Sequence, residues 1–448
     1  MADNEIIGIA EKVVKMAQKL GAEHTEVCLM KGNQLSVNLE ESSIVKANNK
    51  SLTGIGMRVL INKAIGLASA TQFDKTILEA MVKDAVDLAK ASNPNPDNIG
   101  FAQPPDNYPE VKGLYDKKLA NIQSSELVEI AIEALNASQA VDSGFNTSGS
   151  VNLTIGNKIL ANSNGISVAS DDTYMQVYIN NKLAKSPDDI GVGFEYAFGR
   201  TLKEIDAEFV GKSAGEKALK MCGGKKIDSG EYKFLLDQRA TRNSINGIIS
   251  SGTSAYNIIQ GTAFFTDRLA EEIASETLTI VDNPLQEGGF GSRYFDDEGT
   301  PAQKTTIVDK GTLLCYLSDV YTSHKLDIPN TGSAKKNSYD GIPHPSTSLI
   351  QIEPGSASKD ELFAELGTGI YMESPLFSMG GTNISQQVDV GFLVEKGEIV
   401  HPVKNTMLGT TVYDVLKKVE IVGKDLLVEG GMKSPMILIG PTKFSSGR

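Results

Sequence analysis

Asp296, Asp297 and Glu298 stand in a row, directly before Gly299-Thr300-Pro301. Three adjacent carboxylates can hold a cation or move a proton, since neighbouring like charges push carboxyl groups toward a shared proton. They can also line a cleft. The Gly-Thr-Pro that follows suits a turn, in which Asp oxygens accept backbone N–H groups. From composition alone the turn is the expected role, with cleft lining as the other.

The remaining reactive types are sparse. There are four histidines, His24, His324, His344 and His401. No two stand at the i, i+4 spacing that lets one helix face grip zinc. His324, His344 and His401 all fall in the second half of the chain, so a hydrolytic site built from them is one open alternative. No GxSxG turn presents a nucleophilic serine: "GFGSR" and "SSGTSAY" do not fit the pattern. The glycine-rich runs at 288–293 and 379–383 lack the Gly-Lys-Ser/Thr of a phosphate loop and read as tight turns. Cys28, Cys222 and Cys315 are far apart and form no CxxC, which points to reduced thiols rather than a disulfide framework.

The elements that must position these residues follow from hydrophobic period and turn chemistry. Residues 4–20 read as a helix, with Ile6, Ile7, Ala10, Val13, Val14 and Ala17 on one face and Gly21 as its stop. "TEVCLM" and "QLSVNLEES" read as two strands, and "GIGMRVLINKAIGLASA" as a hairpin turning at Asn62-Lys63. "TILEAMVKDAVDLAKAS" reads as a helix opened by a capping box from Thr76 to Glu79. The Asn/Pro/Asp-rich stretch 93–113 reads as a loop within the first domain. "SSELVEIAIEALNAS" and roughly 203–221 read as helices, with strands between 149 and 200.

A boundary at Gly223-Gly224 divides the chain into domains 1–222 and 223–448. Beyond it the sequence reads as strands and turns with one or two helices. "VDKGTLLCYL" and "VEKGEIVHPV" are each a hairpin around an acid-Lys-Gly turn. The expected class is α+β in two domains: helices with hairpins first, then a domain dominated by antiparallel sheet.

Composition narrows the function. The chain has 448 residues, 40% of them hydrophobic and 22% charged, which is globular composition. A net charge of −13 without a basic cluster argues against direct nucleic-acid binding. No stretch reaches the roughly 18 apolar residues of a membrane span, and the first residues lack the basic and apolar regions of a secretory signal. A cytoplasmic protein is expected.

An ordered set of short motifs then becomes specific. "VDNP" (281–284), "YFDDEGTPAQKTTIVDKGTLLCYLSD" (294–319), "NTGSA" (330–334), "IEPG" (352–355), "GTGIYMES" (367–374), "GFLVEKGEIVHPVKNTMLGTT" (391–411) and "VEIVGKDL" (419–426) together resemble the TldD/PmbA family, once called modulators of DNA gyrase. The likeness extends to the N-terminal helix and to "IVKANNKSLTGIGMRVLINKAIGLASAT". The resemblance implies a zinc-bearing TldD-like subunit, with His-Glu-x-x-x-His on a helix and a late Cys, paired with a second, TldE/PmbA-like subunit. The two would enclose a chamber that admits unfolded or short peptides. In this sequence the corresponding stretch, 237–261, holds no His, Glu or Cys, and no Cys follows Cys315. A catalytic zinc needs three such ligands. The chain thus resembles the TldE/PmbA kind: no metal and no catalytic residues of its own, zinc expected in the partner, and Asp296, Asp297 and Glu298 as chamber-lining or turn-ordering residues. A stand-alone homodimeric peptide-binding protein and a self-sufficient hydrolase are the alternatives.

Overall fold

The computed structural model describes residues 4–373 and 377–447. Its first half is one antiparallel sheet backed by helices. The strands are β1 (His24–Glu40), β2 (Ser43–Ser51), β3 (Gly54–Ile61), β4 (Ala64–Ala70), β5 (Asn146–Asn162), β6 (Ser167–Ser186) and β7 (Asp189–Gly199). They lie in the order β4-β3-β1-β5-β6-β7, with β2 against β1. The two segments expected as separate strands, "TEVCLM" and "QLSVNLEES", are one 17-residue strand. β3 pairs along its first part and β2 along its last, so a single long β1 serves two partners. The β3–β4 hairpin turns at Asn62 (φ 48°) and Lys63 (φ 64°), two positive angles in succession as the expected tight turn requires.

The helices of this half are α1 (Asn4–Lys19), α2 (Lys75–Ala91), α3 (Lys117–Ala120), α4 (Ser124–Val141) and α5 (Ala207–Lys220). α1 buries Ile6, Ala10, Val13, Val14 and Ala17 against the sheet, as its spacing predicts. α2 starts at Lys75, with Asp74 at its cap and no side-chain bond there. Thr76 therefore lies inside the helix, and the expected Thr76–Glu79 box does not form. A capping box does close α4, between Gln123 and Glu126.

Period 2 decides which face the helices cover. Val27, Leu29, Leu35, Val37 and Leu39 of β1 pack under them. The alternate residues Glu26 and Cys28 are also buried, but Cys28 packs with Phe295 of the second half. One sheet face thus carries the helices and the other carries the rest of the chain. Gly54 and Gly56 permit this close approach. A Cβ on Gly56 would stand 2.1 Å from the Tyr339 carbonyl oxygen, and one on Gly54 would stand 2.2 Å from the Tyr339 ring. The loop expected inside the first domain in fact bridges both halves: Tyr108 donates to the Gly299 carbonyl (2.8 Å), and Asn95 to the Tyr321 hydroxyl (3.2 Å).

The second half holds a nine-stranded sheet, a six-stranded sheet and a small two-stranded one. Its helices are α6 (Gln238–Thr253), α7 (Ala255–Ile259), α8 (Val320–Leu326), α9 (Lys359–Leu366) and α10 (Val412–Lys417). Among the described residues five helices stand where one or two were expected. Four of them span eight residues or fewer, too short to show a 3.6-residue period. α6 fills the core between the two larger sheets. Its Ile245, Ile248 and Ile249 share one cluster with Phe234 of the nine-stranded sheet and with Ile280 and Ile350 of the six-stranded one. Both acid-Lys-Gly hairpins form as expected, with Lys310 and Gly311 at φ 44° and 81°, and Lys396 and Gly397 at 52° and 79°. The class is α+β with antiparallel pairing dominant. Among the described residues no helix is long and apolar enough to cross a membrane.

Candidate functional site

The acid cluster lies at the junction of the two halves. Asp296, Asp297 and Glu298 are 0%, 4% and 3% exposed. Asp296 orders the turn: one oxygen accepts the N–H of Glu298 and of Thr300, both at 2.9 Å, and the other accepts that of Ala334 (3.1 Å). Asp297 accepts from Lys158 Nζ of β5 and from the Lys336 backbone N–H, both at 2.6 Å. Glu298 accepts from Arg58 of β3 (3.1 Å) and from the Val320 N–H that opens α8 (2.9 Å).

Arg58 also grips Glu26, its cross-strand partner on β1, through two bonds of 3.0 and 2.7 Å. Lys336 Nζ reaches the same carboxylate at 2.6 Å. The result is a buried chain of alternating basic and carboxyl groups, Lys336–Glu26–Arg58–Glu298, that crosses from one half to the other. Bidentate Arg–carboxylate pairs are strong and directional, and in this setting each charge depends on its partner remaining in place.

The carboxyl groups titrate apart. Burial raises all of them, and their neighbours decide the outcome. Asp297 is held below the usual range because Lys158 and Arg293 outweigh its burial. Glu26 is likewise held down by Arg58 and Lys336. Asp296 is pushed up to about 6 by burial. Glu298 is pushed up to about 8, because Asp319, Glu26 and Asp296 reinforce its burial against Arg58.

α6 occupies the stretch in which the family resemblance places metal ligands. Asp237 caps it, accepting the Ala240 N–H at 2.6 Å, and burial pushes this carboxyl up to about 7. Arg239 and Arg242 follow on the first turns. Arg239 pairs with Glu195 of β7 and, at 2.8 Å, with Glu429. Arg242 bonds Glu429 at 2.7 Å and the Tyr196 hydroxyl at 2.6 Å. Cations at a helix start oppose its dipole, so these acids are what keep them there. Further along, Thr347 donates to Asn246 (2.9 Å), Ser250 meets Ser346 (3.2 Å) and Ser254 donates to the Pro345 carbonyl (2.9 Å). The polar residues of α6 are amides, hydroxyls and paired guanidiniums.

The histidines sit in separate settings. His324 lies on α8, His344 packs at a tilt of 39° against Tyr256 with ring centroids 3.9 Å apart, and His401 Nδ1 meets the Pro402 carbonyl at 3.0 Å. Among the described residues no group of three or more His, Cys, Asp or Glu side chains is arranged to hold a metal ion. Sequence reasoning missed Glu26, Arg58, Lys158, Lys336, Glu195 and Glu429. One signal was available: Arg58 is the lone polar side chain in Gly54–Ile61, a strand that otherwise reads as wholly apolar.

The sequence matches three family models in order: PmbA/TldA metallopeptidase domain 1 over 25–89, the central domain over 117–221 and the C-terminal domain over 229–446. A metalloprotease of Methanocaldococcus jannaschii is 25% identical over 440 residues, covering 94% of each chain. The metalloprotease PmbA of Escherichia coli O157:H7 is 22% identical over 466 residues, covering 98% of this chain and 96% of its own. The crystal structure of TldE from Thermococcus kodakarensis superimposes with a TM-score of 0.87 at 20% identity, covering 98% of this chain and 100% of that one.

Proposed function

Because the chain belongs to the PmbA/TldD metallopeptidase family, we propose that it is the metal-free member of a two-subunit peptidase, paired with a zinc-bearing TldD-like chain that cleaves unfolded or short peptides. The observation that carries this reading is the composition of α6. Zinc hydrolysis requires His, Glu or Cys ligands and a base beside the bound water. α6 offers Arg239, Arg242, Asn246 and Ser250 instead, each already engaged with a neighbour.

In this reading the chain's work is enclosure and presentation. The strand Glu398–Pro402 is an edge of the nine-stranded sheet, and its Ile399 and Val400 are each 51% exposed. Such an edge can take up an extended peptide through main-chain hydrogen bonds. The zinc and its water belong to the partner.

The test is elemental analysis of the chain purified alone without chelator, followed by peptide hydrolysis with and without a zinc-bearing family member. The expected result is far less than one zinc per chain, no hydrolysis alone, and faster or more selective hydrolysis by the mixture. Stoichiometric zinc, or hydrolysis by the chain alone that His344→Ala abolishes, would overturn the proposal in favour of a self-sufficient hydrolase.

A further inference from the structure

A cavity of about 210 Å³ lies beside the acid cluster, between the open face of the first sheet and the segment 290–297. Lys158, Asp172 and Arg200 line it from the first half, and Arg293, Lys335 and Lys336 from the second. Two of these cations are neutralised in place: Lys158 by Asp297 and Lys336 by Glu26, each at 2.6 Å.

The other three have no carboxylate within ion-pair distance among the described residues, although Arg293 also acts at longer range on Asp296 and Asp297. Arg200 directs its five N–H groups to main-chain carbonyls: Gly289, Phe290 and Ser292 of one half, Leu114 and Thr173 of the other. Its hydrogen bonding is complete, but its charge has no carboxylate in contact. Arg293 donates to the Ala334 and Gly332 carbonyls at 3.2 and 3.1 Å, and its Nε is buried with no partner. Lys335 makes no ion pair among the described residues, and burial together with Arg293 pulls its pKa down. The carboxylates in the lining are Asp297, already bonded to Lys158, and Asp172, whose carboxyl burial pushes up. The lining therefore carries excess positive charge, in a cavity that opens to solvent beside Lys335, inside a chain of net charge −13.

An unsatisfied buried guanidinium N–H costs free energy, and an anion that accepted it would remove that penalty while pairing with the Lys335 ammonium at the cavity's solvent side. The volume is several times the roughly 30 Å³ that one water occupies in the liquid, so more than a solvent molecule fits. We propose that this cavity is a binding site for a small oxyanion, a carboxylate or a phosphate, held by Arg293 Nε–H and the Lys335 ammonium in the field of Arg200. A ligand that also carries an ammonium, such as a free amino acid, would set it against Asp172. This inference does not depend on the partnership proposed above.

The test is thermal unfolding of the full chain at neutral pH in inorganic phosphate, acetate, glycine or chloride at matched ionic strength. A ligand of the folded state raises Tm in a saturable way. The expected result is a saturable rise in Tm over chloride that Lys335→Met weakens by about tenfold in apparent affinity and Lys335→Arg retains. Lys335 is exposed and its side chain makes no ion pair among the described residues, so Lys335→Met is expected to match the wild type in chloride. A rise with phosphate alone identifies a phosphate site. A rise with acetate and glycine identifies a carboxylate site, and glycine above acetate brings in Asp172. No rise over chloride with any of them, or the same rise in Lys335→Met, would overturn the proposal.

Discussion

Arg58 donates to Glu298 at 3.1 Å across 240 positions of sequence. The bond joins β3 of the first sheet to the acid cluster of the second half, and both side chains are buried. Arg58 also holds Glu26, so one guanidinium stands between two carboxylates from different halves.

Removing that guanidinium strands both acids. Arg58→Met is expected to destabilise the chain by about 3–5 kcal/mol, the usual cost of breaking a buried ion pair from one side. Lys83→Ala, which breaks the exposed pair to Asp87, should leave the urea midpoint unchanged. Urea unfolding of the two variants makes the comparison. Equal midpoints would mean that the junction does not hold the halves together.

Glu298 makes stability depend on pH. Its ordinary value is 4.5 and the fold raises it to about 8, with burial first among the causes. Between those values the folded chain keeps a proton that the unfolded chain has released. The contribution is therefore full below 4.5 and lost as pH rises through about 8. Asp297 and Glu26 are held down, so theirs is present above the ordinary carboxyl range and lost as pH falls below it. Tm of the wild type should fall between pH 6 and 8, and Glu298→Gln should flatten that fall. A parallel decline in the variant would remove Glu298 as the cause.

Gly56 and Gly54 should differ. At Gly56 an added methyl meets backbone, the Tyr339 carbonyl, which cannot move without shifting its loop. At Gly54 it meets the Tyr339 ring, which can swing aside. Gly56→Ala is expected to cost about 1–3 kcal/mol, as overpacking of a tight contact does, and Gly54→Ala less. Hydrogen exchange at 338–341 should rise in the first variant and hold near wild type in the second.

Arg200→Lys keeps the charge and loses donors. A lysine offers three N–H groups where arginine offers five, and five carbonyls are served here. Carbonyls left unserved in a buried site cost about 1–3 kcal/mol each, less where water enters. A loss of about 2 kcal/mol in denaturant stability is expected. An unchanged midpoint would show that the carbonyl cage is dispensable.

Much of the local structure was legible without coordinates. α1, the Asn62-Lys63 turn and the two acid-Lys-Gly hairpins each rest on residues a few positions apart, whose φ preferences and apolar spacing act locally. The absence of His, Glu and Cys from 237–261 is equally a property of sequence alone. Local reasoning failed where the chain competed with itself. The helix after Asp74 began one residue early, and four helices were too short to carry a period.

The role of Asp296, Asp297 and Glu298 shows where sequence stops. The turn they open was readable, because Asp296 bonds amides two and four residues away. Their burial and their partners were not, because Arg58, Lys158 and Lys336 come from strands and loops that only the packed sheet brings near. Sequence determined which groups carry charge and where the chain turns. Tertiary structure alone decided which charges meet, since charge pairing depends on distance in space and on exclusion of water, and neither is encoded in local spacing.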